Sequence, residues 1–100
     1  MEFVHEPVLL QEVLQWMPIR ADGVYCDGTL GGGGHSNAIL AASGGTATLY
    51  GIDRDPDAMA AATLRLQGYS GFHGLAGNFH DAKLLLQNAG VPKLDGALLD

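Results

Sequence analysis

Apolar residues recur along the chain in short blocks separated by glycine, proline and aspartate, and the blocks switch between helical and extended spacing. Val8, Leu9, Val13, Leu14 and Met17 fall at helical spacing between Pro7, suited to a first helical turn, and Pro18, which stops the run. This predicts an amphipathic helix over residues 7–17, within a leading segment of residues 1–20. Val24–Asp27 is a brief apolar run with a carboxylate at its end, the pattern of a buried strand, and Gly31 to Gly34 lead from it into a helix over residues 36–42 that Gly44 and Gly45 terminate. The cycle then repeats. Residues 47–53 form a second strand ending in Asp53, Asp55 is suited to cap a helix beginning at Pro56, and residues 59–66 supply that helix, closed by Gly68. A third strand is predicted around residues 71–76, Asp81 is a candidate cap for a helix through Leu84, Leu85 and Leu86 that ends near Gly90, and residues 94–100 read as a fourth strand.

Strands that alternate with helices and are apolar enough to be covered on both faces predict an α/β fold with a parallel sheet. In such sheets ligands bind beyond the carboxyl ends of the strands, near the point where the strand order reverses. Asp27, the glycine loop, Asp53, Asn78, Phe79 and Asp100 would all gather at that edge.

Composition narrows the classes. One hundred residues, 47% of them hydrophobic, make one small ordered domain, and the fifteen glycines follow no fixed period that would indicate a fibrous or low-complexity chain. The net charge is −6, and the five basic residues are scattered, so this stretch is a poor polynucleotide surface. A single cysteine, Cys26, closes no internal disulfide, which fits a reducing, cytoplasmic setting. No apolar run approaches the roughly 18 residues that span a membrane.

The chemistry concentrates in the glycine loop and Asp53. A dehydrogenase fingerprint starting at Gly31 would need a third glycine where Ser36 stands, and a phosphate-binding loop would need a lysine, none of which precedes Lys83. An adenosine carrying an uncharged or zwitterionic tail suits the loop better than a polyphosphate. Asp53 can accept hydrogen bonds from ribose hydroxyls, while Asp55 is the better helix cap. Phe79 is placed either to stack on adenine or to fill the core, and His35 either to contact a ligand or to satisfy local backbone. The histidines lack metal-ligand spacing with the cysteine, so no metal is expected, and no nucleophile with its base suggests covalent catalysis.

These residues, in this order, resemble the N-terminal part of the bacterial small-subunit ribosomal RNA cytosine-N4 methyltransferase family. The motifs are His5-Glu6-Pro7-Val8-Leu9-Leu10, Glu12-Val13-Leu14, the run from Asp27 to Ser36, Gly51-Ile52-Asp53-Arg54-Asp55-Pro56-Asp57-Ala58, Gly77-Asn78-Phe79 and the run from Asp95 to Asp100. The resemblance implies a Rossmann-like class I methyltransferase fold truncated after its fourth strand. It also implies S-adenosylmethionine as cofactor, with contacts at Gly33, Gly34, His35, Asp53, Phe79 and Asp100. Residues 1–100 would then be the cofactor-binding half of a domain whose later regions take up the ribosomal RNA, with the chain inactive alone. The alternative expectation is a non-catalytic folding fragment or a half-domain that self-assembles as a homodimer through an exposed fourth-strand edge.

Overall fold

The computed structural model describes residues 19–28, 30–31, 33–91 and 93–98. The leading helix expected over residues 7–17 and the site candidate Asp100 lie outside the described residues.

Four strands, β1 (Val24–Asp27), β2 (Thr48–Asp53), β3 (Phe72–Ala76) and β4 (Gly96–Leu98), form one parallel sheet in the order β3-β2-β1-β4. Helices α1 (Gly34–Ala42), α2 (Pro56–Arg65) and α3 (Ala82–Asn88) make the crossovers. The chain steps outward from β1 through β2 to β3, then returns to place β4 on the opposite side of β1. The strand order therefore reverses at β1.

Alternation along β1 explains why this strand is buried on both faces. Tyr25 enters one apolar cluster with Ile39 and Leu40 of α1, Leu49 of β2, and Leu66. Its neighbour Cys26 enters a second with Ile52 and Ala97, closed by Leu85 and Leu86 of α3. One face is thus packed by α1 and α2 and the other by α3, each fully buried leucine or isoleucine contributing about 1.5–3 kcal/mol. β3, at the edge, remains half-buried to exposed.

Local signals set the helix limits. Asp55 caps α2, its carboxylate accepting from the Asp57 N–H at 2.9 Å, and Pro56 occupies the first turn. Gly44 and Gly45 end α1 at φ 73° and 84°, with the Gly45 N–H donating to the Leu40 carbonyl at 2.9 Å.

Three sequence expectations are corrected. Asp81 makes no side-chain cap bond to α3; the chain instead enters through a 3-10 turn, Phe79–Asp81, capped by Asn78, whose Oδ1 accepts from the His80 N–H at 3.0 Å. An Asx cap three residues earlier has taken the entry before Asp81 can act. α2 finishes at Arg65 with Leu66 at its C-cap, and Gly68, two residues further on, lacks the positive φ of a glycine terminator. β4 is Gly96–Leu98 and so starts two residues later than expected, residues 99–100 lying outside the described residues; Asp95, just before it, still donates its N–H to the Val24 carbonyl at 2.7 Å, while its carboxylate accepts from the Val24 N–H at 2.8 Å and faces Arg20 at 3.6 Å.

Candidate cofactor site

Two aspartates end adjacent strands, and the structure gives them different work. Asp27, at the end of β1, is fully buried, and its Oδ2 accepts from the Ser36 hydroxyl at 2.7 Å. Asp53, at the end of β2, is half-buried and uses both carboxylate oxygens: Oδ1 accepts from the Asp55 N–H at 2.8 Å and Oδ2 from the Gly31 N–H at 3.2 Å. Because Asp55 serves α2, the Asp53 carboxylate is left to face the loop. The cap at Asp55 is the one the sequence predicts.

A cavity of about 530 Å³ opens here, lined by Gly28, Gly31, Ile52, Asp53, Arg54, Gly77, Asn78, Phe79 and His80. Its size falls within the range of small-molecule sites. The lining joins a charged acceptor, a backbone donor, an amide and an aromatic ring around one space, a donor set suited to a nucleoside: hydroxyls for the carboxylate, a base for the ring.

Among the site candidates, Asp53 and Phe79 line the cavity, and Phe79 also packs on the Cys26, Ile52 and Ala97 cluster, so it borders both the cavity and the core. Gly33, Gly34 and His35 lie beside the cavity at the entry to α1, outside its lining. The side-chain positions of both glycines face α2. A Cβ on Gly33 would sit 3.3 Å from Leu66 Cδ1 and 3.4 Å from Ala62, and one on Gly34 would sit 3.8 Å from Arg65 Nη1. Gly33 has φ 89° and, as the N-cap of α1, offers no side chain to the first turn. These glycines therefore allow the helices to approach, and only their backbone is available to a ligand.

Gly28, Gly31, Ile52, Arg54, Gly77, Asn78 and His80 line the cavity without having been among the six assigned cofactor contacts. Gly28 and Gly31 carried a signal as part of the glycine motif; Arg54 and His80 carried only their adjacency to Asp53 and Phe79. Cys26 is no nucleophile: burial, and secondarily the Asp27 charge, push its thiol up to about 12.

The sequence profile of the MraW methylase family matches residues 2–100. The chain belongs to the MraW methylase family. Two curated relatives carry the name ribosomal RNA small subunit methyltransferase H. The one from Trichlorobacter lovleyi is 51% identical over 100 residues, covering 99% of this chain and 32% of its own length. The one from Heliobacterium mobile is 47% identical over 102 residues, covering 100% and 33%. This MraW-family chain thus spans about a third of the length of the curated relatives it matches. Among solved structures, the precorrin 8w decarboxylase of Methanobacterium thermoautotrophicum superposes with TM-score 0.72 at 20% identity, over 96% of this chain and 50% of that one. NSun6 from Pyrococcus horikoshii, with SFG, superposes with TM-score 0.70 at 19% identity, over 91% and 22%. At these identities the likeness is one of fold alone, a Rossmann-like α/β architecture.

Proposed function

We propose that this chain is the S-adenosylmethionine-binding part of an enzyme that methylates N4 of a cytidine in small-subunit ribosomal RNA. The observation that carries the reading is the convergence of the Asp53 carboxylate, the Gly31 N–H and the Phe79 ring on one nucleoside-sized cavity beyond the carboxyl ends of parallel strands. Family membership and the names of the curated relatives support the reaction and its RNA substrate.

In this reading Asp53 accepts from the ribose hydroxyls, Phe79 packs against the adenine, and the backbone of Gly33, Gly34 and His35 lies along the amino-acid end of the cofactor, with Asp100 as a further contact. When bound, the cofactor supplies an electrophilic methyl group on a sulfonium. The residues of this chain bind and orient it; the RNA is taken up by regions outside this sequence, in keeping with the net charge of −6. Among the described residues no helix is long and apolar enough to cross a membrane, and the reading carries with it a cytoplasmic location beside the ribosome.

Calorimetric titration with S-adenosylhomocysteine and with NADH tests the proposal. Saturable binding of the first, lost in Asp53→Ala, is expected; preference for NADH would overturn it. A folded chain that binds neither would favour the second reading, a self-assembling structural module. β4, one of the two outer strands of the four described, supplies the edge for that reading, and sedimentation would test it.

A further inference from the structure

We propose that Ser36 is a positioning residue that, through the buried carboxylate of Asp27, clasps the base of the glycine loop and so sets the shape of the cavity; the proposal rests on the cofactor-binding reading above. Neither side chain touches the cavity, and both are fully buried. A carboxylate taken entirely out of water is costly unless hydrogen bonded, and the Ser36 hydroxyl meets Asp27 Oδ2 at 2.7 Å.

The placement of the two residues gives this bond its effect. Asp27 is the last residue of β1, and Ser36 lies in the first turn of α1, whose N-cap, Gly33, has no side chain to hold the helix start. Residues 28–35 between them contain Gly28 and Gly31, the two cavity-lining positions of the loop. The loop is held internally by the Gly33 N–H donating to the Leu30 carbonyl at 2.7 Å, and its tip by the Gly31 N–H on Asp53 at 3.2 Å. The tip contact is long and half-exposed, whereas the clasp is short and buried. Ser36 therefore decides where the loop starts α1, and Asp53 meets a loop that is already placed. The carboxylate also lies at the positive end of α1, where a negative charge is favoured.

Amide hydrogen exchange on the ligand-free 100-residue chain, followed by titration with S-adenosylhomocysteine, tests this. Ser36→Ala is expected to speed exchange at Gly31 and Gly33 about tenfold relative to Leu49 and Ile52 in β2, and to weaken ligand binding about tenfold. Ser36→Thr, which keeps the hydroxyl, is expected to restore both. If Ser36→Ala does not fold, Ser36→Cys, close in shape and a weak donor, carries the same comparison. Exchange that is unchanged, or that rises equally in loop and β2, would overturn the positioning role and leave Ser36 a purely structural residue. A wild-type chain that fails to bind the ligand would refute the cofactor reading instead, while the exchange comparison still decides the role of Ser36.

Discussion

The backbone N–H of Gly31 lies 3.2 Å from Oδ2 of Asp53, so the glycine loop that follows β1 and the end of β2 are joined across the cavity without any ligand. In the proposed reading, a ribose entering this space would meet an acceptor whose second oxygen is already held by the Asp55 N–H at 2.8 Å. The carboxylate is thereby fixed in direction before binding, which lowers the ordering cost of ligand capture.

Asp53→Ala is accordingly expected to weaken S-adenosylhomocysteine binding by about 1.5–3 kcal/mol, or roughly tenfold to a hundredfold, the worth of a charge-assisted hydrogen bond. Calorimetry measures this directly. The melting temperature should fall little, because Asp53 is only half-buried and α2 keeps its own cap at Asp55.

Asn78→Ala removes the acceptor for the His80 N–H and should cost about 0.5–2 kcal/mol of stability, the usual worth of such a cap. Since the same turn presents Phe79 to the cavity, ligand affinity should fall as well. A urea midpoint that drops with unchanged affinity would show that Phe79 keeps its place without the turn.

Two glycines at the β3 edge make a matched pair. A Cβ on Gly71 would come 2.1 Å from the backbone carbonyl oxygen of Ala47, which cannot move without opening the approach of β3 to β2. On Gly74 the nearest atom is the sulfur of Met59 at 2.5 Å, near the end of a flexible side chain. Gly71→Ala should therefore destabilise by about 3 kcal/mol or more, and Gly74→Ala by about 1 kcal/mol, in denaturant titrations.

Cys26 predicts an alkaline limb. Its thiol is raised from 9.0 to about 12, by burial first and the Asp27 charge second. The folded state therefore holds this proton more tightly than the unfolded one. The associated stability is fully present below pH 9 and is lost as pH rises toward about 12. Cys26→Ala should flatten stability over that window, and the wild-type thiol should resist disulfide reagents at pH 8 until the chain is unfolded.

Much of this arrangement was legible because aspartate, glycine and proline mark the ends of nearly every element. Asp55 before Pro56 identifies its helix start, and with the cap at Asp55 the Asp53 carboxylate borders the cavity. Other features depend on contacts between distant parts of the chain. That Gly33 and Gly34 face Ala62, Leu66 and Arg65 follows from how α1 and α2 pack, which no local pattern encodes. Asp95 read as part of a strand because its neighbours are apolar, yet its carboxylate is claimed by Val24, 71 residues away. Asn78 and Asp81 are both good caps by type, and only the turn at Phe79 decides between them. The family, by contrast, was readable from motif order alone and is matched over residues 2–100.

The bond between Val24 and Asp95 also bears on the order in which the chain assembles. Pairing β1 with β2 joins positions 24 residues apart, Val24 and Thr48, whereas docking β4 closes a 71-residue span. For a flexible chain that adds about 1 kcal/mol of closure entropy, and during synthesis the ribosome must first release residue 98 before β4 is whole. Until then the strand that carries Asp27 is itself an open edge, so the nascent chain can shape the cavity over β2 and β3 before the central strand gains its second neighbour.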